Sequence, residues 1–192
     1  MPAPNPEAMD FLLPRRSRLA RTLTGPGPDR TAVERMLTAA ARSPDHGKLE
    51  PWRFVILGED ACRAMSEATA RIGARQGREA GKIAKDRLGF DGAPVCVAVV
   101  ASPKPSEKIP EAEQVLSAGA VCLALLNAAL ASGWGANWLS SWMAHDREFL
   151  AEALGLHAPE WVAGFIHIGT ETAPVGERPR PDLAAIADWA RA

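Results

Sequence analysis

The fold is determined by one almost entirely apolar run, Pro94-Val95-Cys96-Val97-Ala98-Val99-Val100-Ala101. Its β-branched content predicts a central strand with both faces covered. A loop containing proline and lysine follows, and the sequence then predicts a long buried helix over Glu111–Ser132, which Gly133 ends. A covered strand and a buried helix together indicate a layered core of sheet and helices.

The remaining periodic segments surround this pair. Short apolar runs predict strands at Trp52–Leu57, Trp134–Leu139 and Trp161–Gly169. Helices are predicted at Pro6–Leu13, from a cap at Asp29 or Thr31 to Ala41, and at Glu59–Arg87, Asp146–Gly155 and Asp182–Ala190. Because strands and helices do not alternate strictly, the order favours an α+β fold, with a central mixed sheet flanked by helices, over a doubly wound sheet. We expect one domain over residues 1–192, with residues 1–7 flexible and residues 171–192 forming an extended tail.

Composition and charge argue against several kinds of partner. A net charge of −1 gives no electrostatic reason to expect nucleic acid or an anionic membrane. The apolar run Val115–Ala131 is near the lower length limit for a membrane span, but Ser117 and Asn127 within it favour a buried helix. The three cysteines are widely separated and the N-terminus lacks a signal-peptide pattern, so we expect a reduced, cytoplasmic protein.

Several catalytic and cofactor motifs are missing from the sequence. It contains no G-x-G-x-x-G after a strand and no G-x-x-x-x-G-K-[ST], which disfavours a Rossmann dinucleotide site and a P-loop. It lacks the G-x-S-x-G elbow and H-E-x-x-H, and its cysteines and histidines do not have zinc-ligand spacing. We therefore expect neither a metal site nor a hydrolytic nucleophile with its base.

Arginines form two local clusters that could bind an anion. Arg15, Arg16 and Ser17 lie together in a predicted loop, and Arg178 and Arg180 lie in the tail. Guanidinium groups hold phosphate oxygens through paired N–H donors, and a serine hydroxyl adds one more donor. A run of arginines can equally form a solvated surface, and composition alone leaves both interpretations open.

The turn within Ser43–Phe54 displays polar side chains between a predicted helix and a predicted strand. A Pro-Asp turn and Gly47 place His46 and Lys48 at the mouth of this connection, where side chains are exposed to ligands. His46 could instead bond local carbonyls, and Trp52 could be a core aromatic. This stretch is therefore informative mainly in combination with the rest of the chain.

Four motifs occur along the chain in a fixed order. They are Arg15-Arg16-Ser17, then Arg42-Ser43-Pro44-Asp45-His46 followed by Pro51-Trp52-Arg53-Phe54, then Ser117-Ala118-Gly119, and finally Gly164-Phe165-Ile166-His167-Ile168-Gly169-Thr170. In order and spacing they resemble the nitroreductase family, and most of all its short single-domain branch with a Pro-Asp-His turn. The resemblance covers roughly residues 8–181.

The resemblance implies an α+β nitroreductase-like fold and a domain-exchanged homodimer, in which the tail of each chain packs on its partner. It implies that this dimer binds FMN at its interface. The implied activity is hydride transfer from NADH or NADPH to the flavin and then to a small oxidant, such as a nitroaromatic or a quinone, with ping-pong kinetics. Two alternatives are a flavin-binding carrier or sensor without nicotinamide turnover, and a structural dimer without FMN.

The resemblance also assigns roles residue by residue. Arg42 and His46 match flavin contacts made by the opposite subunit, and Lys48 in the same turn is a further flavin-binding candidate. Ala128 matches a position implicated in nicotinamide binding. The other candidates are the N-terminal triplet, the segment along the flavin ring and the tail arginines, namely Arg15, Arg16, Ser17, Trp138, Leu139, Ser140, Arg178 and Arg180. The resemblance names no catalytic side chain, since the flavin itself carries the redox chemistry.

Two positions depart from the family pattern. Many relatives have Gln where this chain has Glu50, and Pro where it has Glu171. An acidic group at Glu50 near the flavin edge would raise the energy of an anionic reduced flavin, and Lys48 is a candidate to compensate that charge. The sequence does not determine whether either departure alters the redox behaviour of the flavin.

Overall fold

The sheet is antiparallel in every described strand pair. The computed structural model describes residues 3–190. The strands are β1 (Leu23–Thr24), β2 (Trp52–Gly58), β3 (Val95–Ala101), β4 (Gly135–Leu139) and β5 (Trp161–Glu171). Their order is β1-β5-β3-β2, and β4 also pairs with β5.

The α+β class predicted from the sequence is confirmed, whereas the mixed sheet is wrong. Gly58 at the end of β2 lies opposite Val95 at the start of β3. The helical connection between these strands therefore brings the chain back to the end of the sheet that it left. β3 must then run against β2, since a parallel pair would need a crossover to the opposite end.

Helices cover both faces of the sheet. They are α1 (Pro6–Leu12), α2 (Arg30–Ala40), α3 (Glu59–Arg75), α4 (Ala80–Arg87), α5 (Glu111–Ala131), α6 (Arg147–Leu154) and α7 (Leu183–Ile186). β3 is buried throughout, as its apolar run predicts. Val95, Val97 and Val99 pack with α2 and α5, and the alternate residues of β3 pack with α3 and α6.

The long apolar helix α5 is part of the core. It packs against α2, β3, β4 and β5, and it buries Val121, Leu125 and Ala129 on successive turns. Its length and composition alone would also suit a membrane-spanning helix. Packing against the sheet and α2 covers part of its apolar surface, whereas Leu116 and Leu123 remain exposed.

Two predicted helices are shorter in the structure. The helix predicted over Glu59–Arg87 is interrupted between α3 and α4, because Gly77 has a left-handed φ of 68° that ends α3. The helix predicted over Asp182–Ala190 covers only Leu183–Ile186, whose side chains are exposed and gain no stability from burial. β1 was not predicted, since a strand of two residues has no periodicity to detect.

The segment after α1 and the segment after β5 lie close together in the structure. α1 begins at Pro6, where the side chain of Asn5 accepts a hydrogen bond of 3.1 Å from the N–H of Ala8. Residues 1 and 2 of the segment expected to be flexible lie outside the described residues. Between β5 and α7 the chain has no helix or strand. The loop after α1 and this tail carry the two arginine clusters.

Candidate functional site

A cavity of about 530 Å³ lies between the loop after α1, helix α5, strand β4 and the tail. Six residues predicted from the sequence to bind one ligand lie in its wall: Arg15, Arg16, Ser17, Trp138, Arg178 and Arg180. The remaining wall residues are Leu19, Leu123, Leu126 and Asn137. The structure therefore brings together two arginine clusters from opposite ends of the sequence. We refer to this space as the arginine cavity.

The guanidinium groups of the arginine cavity are largely without carboxylate partners. Within residues 3–190, no carboxylate lies within 4.0 Å of the guanidinium nitrogens of Arg15, Arg16 or Arg178. Arg180 contacts Glu177 at 3.0 Å. Burial, followed by the charges of Arg180 and Arg18, lowers the pKa of Arg15 below its usual value. Like charges held this close together favour an anionic ligand between them.

Arg15 also carries an unused buried donor. Its Nε is buried and has no hydrogen-bond partner among the described residues, and its Nη2 donates to Ser17 Oγ at the long distance of 3.5 Å. A buried donor without an acceptor costs free energy until an acceptor arrives. The other guanidinium N–H groups of the cavity suit a phosphate group, which has several strong acceptor oxygens.

Trp138 forms an aromatic wall next to the arginines. Its indole Nε1 donates to the carbonyl of Ala163 at 3.2 Å, which fixes the ring, and 37% of the residue is exposed. A Cβ at Gly164 would collide with this indole, so the glycine makes room for the ring. The exposed remainder of Trp138 gives a planar ligand a surface to pack on.

Sequence reasoning missed the apolar floor of the cavity. Leu123 and Leu126 are three residues apart on α5 and therefore project from one face of the helix. That spacing was visible in the sequence, but α5 is apolar all round, so the pattern could not distinguish a cavity face from a core face. Leu19 and Asn137 carried no signal of their own.

Leu139 and Ser140, predicted to contact the same ligand, line a second cavity of about 270 Å³. Successive residues of a strand point to opposite faces, so Leu139 faces away from the side to which Trp138 points. Lys85 and Asp86 of α4 also line this space. Asp86 accepts hydrogen bonds from Ser141 Oγ at 3.0 Å and Trp142 Nε1 at 2.9 Å, which ties α4 to the segment after β4.

Lys85 and Asp86 were not among the predicted site residues. They lie on α4, and the break that separates α4 from α3 was not predicted. His167 lies in the same wall and is fully buried. Burial lowers its pKa to about 4, so its ring is neutral at physiological pH. Lys85 is therefore the cation among the residues that line this second cavity.

Four predicted residues lie away from the arginine cavity within one chain. Arg42 is exposed after the end of α2. His46 and Lys48 are exposed in a turn, where His46 Nδ1 lies 2.7 Å from Glu113 Oε2 at the start of α5. Ala128 is half-buried on α5, packed against the core that includes α2. A single chain does not bring these residues to the cavity wall.

The two departures from the family pattern have different surroundings. Glu50 is exposed and has a left-handed φ of 47°, and its backbone N–H donates to Asp45 Oδ2 at 2.7 Å. Glu171 instead accepts a hydrogen bond of 2.7 Å from Arg18 Nε, immediately behind the arginine cavity. Only Glu171 is therefore connected to the cavity within the chain.

The structure combines an antiparallel sheet, covered by helices on both faces, with a cationic cavity beside an exposed indole. Proteins of this class are suited to a planar phosphorylated ligand. The nitroreductase family model matches residues 13–170. This chain belongs to the nitroreductase family.

Its relatives cover most of the chain. It is 30% identical over 164 residues to the Escherichia coli (strain K12) protein YdjA, provisionally named as an NAD(P)H nitroreductase, covering 85% of this chain and 88% of that protein. A nitroreductase-like family protein from Bacillus cereus superposes with a TM-score of 0.78 at 21% identity, covering 99% of this chain and 98% of that one. The FMN and NADPH-dependent nitroreductase NfnB from sphigopyxis sp. strain HMH gives a TM-score of 0.72 at 20% identity, covering 95% and 98%. The two structures establish the shared fold.

Proposed function

We propose that this protein is an FMN-dependent oxidoreductase that passes hydride from NADH or NADPH to the flavin and then to a small oxidant, such as a nitroaromatic or a quinone. The observation that carries the proposal is the arginine cavity, in which Arg15, Arg16 and Arg178 have no carboxylate partner within the described residues. A phosphate group would supply the missing negative charge. The names of YdjA and NfnB support the same chemistry.

Two sets of residues would hold FMN in this chain. Arg15, Arg16 and Ser17, with Arg178 and Arg180, would bind its phosphate in the arginine cavity. Trp138 would pack against its ring. Leu139 and Ser140 line the second cavity, so they would contact the ring only if the flavin extends past the edge of β4. When bound, the flavin supplies the redox chemistry by accepting hydride from the nicotinamide and releasing it to the oxidant.

The protein would then supply position and charge. Lys85 lines the second cavity beside Ser140 and would stabilise negative charge that develops at that end of the site. Asp86 is hydrogen-bonded to Ser141 and Trp142, so it holds the segment after β4 without facing the ligand as a free carboxylate. This arrangement needs no general base, in agreement with the absence of a hydrolytic motif.

We further propose that the working unit is a homodimer in the cytoplasm. Arg42, His46 and Lys48 are exposed and lie away from the arginine cavity of their own chain, so a second copy would have to present them. Exposed Leu116 and Leu123 on α5 provide apolar surface for such a contact. The tail beyond β5 would pack on the partner, and Ala128 would contribute to nicotinamide binding. The three buried, unpaired cysteines suit a reducing compartment.

Subunit complementation tests the shared site. We expect Arg16→Ala and Arg42→Ala each to lose activity, because each removes one contribution to every site. In a randomly reassorted mixture about half of the dimers carry one variant chain of each kind, so about a quarter of the sites regain both arginines. Recovery of activity on mixing supports a site shared between chains, and no recovery places Arg42 outside it.

Steady-state kinetics test the activity. The purified protein with added FMN should oxidise NADH or NADPH when a quinone or a nitrobenzene is present. Because donor and oxidant would use the same space in turn, double-reciprocal plots should give parallel lines. Intersecting lines would contradict the ping-pong order. Bound FMN without nicotinamide oxidation would instead favour a carrier or sensor.

A further inference from the structure

Arg18 connects the arginine cavity to the end of the sheet. Its Nε donates to Glu171 Oε2 at 2.7 Å, and its Nη1 donates to the backbone carbonyl of Arg16 at 3.0 Å. Its backbone N–H donates to the carbonyl of Ala136 on β4 at 2.8 Å, and its carbonyl accepts a hydrogen bond from the side chain of Asn137. One residue therefore attaches the loop that carries Arg16 to both β4 and β5.

The ion pair at the centre of this connection is partly shielded from solvent. The side chains of Arg18 and Glu171 are each 28% exposed, whereas in the pair between Arg30 and Glu34 on α2 the exposures are 91% and 58%. Exposed pairs are weakened by solvent and by the entropy of two mobile side chains, and shielded pairs less so. Arg18 and Glu171 are therefore held in one geometry.

That geometry bears directly on Arg16. With its charge neutralised by Glu171, Arg18 directs a second N–H to the carbonyl of Arg16 and fixes the backbone from which the Arg16 side chain extends. Without Glu171, Arg18 would be free to leave this carbonyl, and the loop would lose one of its attachments. Anion recognition by guanidinium groups depends on donor positions that are set before the ligand arrives.

We propose that Glu171 and Arg18 are positioning residues that set the preference of the arginine cavity for a phosphorylated flavin over an unphosphorylated one. The proposal rests on the function proposed above, because it takes the phosphate of FMN as the ligand of Arg16. Neither residue lines the arginine cavity, although both line an adjacent cavity of about 380 Å³ together with Arg15 and Arg16. Each acts through the loop that holds Arg16, and the isoalloxazine end of the site near Ser140 is not involved.

A purely structural role for the pair makes a different prediction. If the pair only stabilised the fold, its loss would weaken FMN and riboflavin binding together, since both flavins present the same ring. If it positions the phosphate donors, its loss should weaken FMN binding alone, because riboflavin has no phosphate. The ratio of the two dissociation constants separates these roles.

The experiment is a titration of the apoprotein with FMN and with riboflavin, followed by quenching of flavin fluorescence. The variants are Glu171→Ala, Glu171→Gln, which retains an acceptor for Arg18, and Glu34→Ala as a matched control on an exposed pair. For Glu171→Ala we expect the loss of a fixed Arg16 backbone to outweigh the added positive charge of Arg18, so that FMN affinity falls on the order of tenfold, the equivalent of removing about 1.4 kcal/mol, with riboflavin affinity unchanged. Glu171→Gln should retain most of the preference, and Glu34→Ala should retain all of it.

Two contrary outcomes have separate meanings. A wild-type protein that binds FMN and riboflavin equally would overturn the phosphate assignment, and this inference with it. A wild-type preference for FMN that survives in Glu171→Ala, or a parallel loss for both flavins, would overturn this inference alone. Should Glu171→Ala fold poorly, Arg18→Lys provides the same test, because a lysine cannot hold Glu171 and the Arg16 carbonyl with the same fork of donors.

Discussion

Two groups of arginines in this protein have opposite surroundings. On the outer face of α3, Arg71 lies 2.7 Å from Glu152 of α6, and Arg75 contacts both Glu148 and Glu152. In the arginine cavity, Arg15, Arg16 and Arg178 have no carboxylate within 4.0 Å of their guanidinium nitrogens among the described residues, although the charge of Arg16 still acts on Glu177. The sequence has several arginines in both regions, and only the structure separates their surroundings.

The difference shows how a ligand site can be told from a surface network. In the network between α3 and α6, each cation has a protein anion, so the charges are satisfied when the chain folds. In the arginine cavity, folding brings like charges together and leaves the donor of Arg15 Nε without an acceptor. A bound anion would reduce the repulsion between these charges, which supports the proposal that the cavity binds a ligand.

The largest expected effect is stabilisation of the whole protein by FMN. A ligand that binds only the folded state at 100 times its dissociation constant raises the free energy of unfolding by about 2.7 kcal/mol. Thermal unfolding with and without FMN measures this increase. Riboflavin at the same concentration should stabilise less, because it leaves the arginines unpaired. An unfolding temperature that is insensitive to FMN would remove the distinction between the two arginine groups.

Arg16→Ala should have the next largest effect, and it acts on the cavity alone. Loss of a charge-assisted contact to phosphate is expected to cost about 2 kcal/mol, or roughly 30-fold in FMN affinity. Flavin titration of the apoprotein measures the loss, and Arg75→Ala is the matched control from the paired group. Equal FMN affinities for the two variants would show that Arg16 belongs to the surface and not to a ligand site.

Arg75→Ala should instead show a small effect on stability. Its partners Glu148 and Glu152 are partly exposed, so solvent screening keeps the contribution of the network to the free energy of unfolding small. Denaturant unfolding should give a small decrease at low salt and a smaller one at high salt. A large decrease in the free energy of unfolding, or a change in FMN affinity, would mean that the network contributes to the site.

The smallest expected effect is an acid-dependent one in the same network. Hydrogen bonds from Arg71 and then Arg75 lower the pKa of Glu152 below its usual value. The stabilising contribution of a carboxylate with a lowered pKa is complete above its unfolded-state pKa and is lost as the pH falls through the folded-state pKa. Unfolding measured across the acid range should therefore show a shallower decline in Glu152→Gln than in the wild type. If stability fell equally with pH in both proteins, the hydrogen bonds from Arg71 and Arg75 to Glu152 would not contribute to it.

Much of the fold could be predicted from the sequence, because its longest elements carry strong patterns. The apolar run that became β3 and the alanine-rich run that became α5 were correct in kind and nearly correct in extent. The break at Gly77 and the antiparallel direction of β3 were not predictable in the same way. A glycine within a helical pattern can be tolerated or can end the helix, and strand direction depends on how the connecting helices pack.

The candidate site was predictable in part, for similar reasons. Local clustering identified Arg15 and Arg16, but nothing in their spacing relates them to Arg178 and Arg180 at the other end of the chain. The resemblance to a family supplied that relation, and folding brings all four to one cavity. The pairing of Glu171 with Arg18 could not be foreseen, since it joins residues that are distant in sequence and share no motif.

The most direct test is the visible absorption spectrum of the purified protein, followed by release and identification of its chromophore. It shows whether the protein binds FMN. We expect the absorption bands of an oxidised flavin, and FMN released from the denatured protein in a ratio of about one per chain. A colourless protein that also fails to bind added FMN would contradict the account, because the unpaired arginines of the cavity would then have no ligand to explain them.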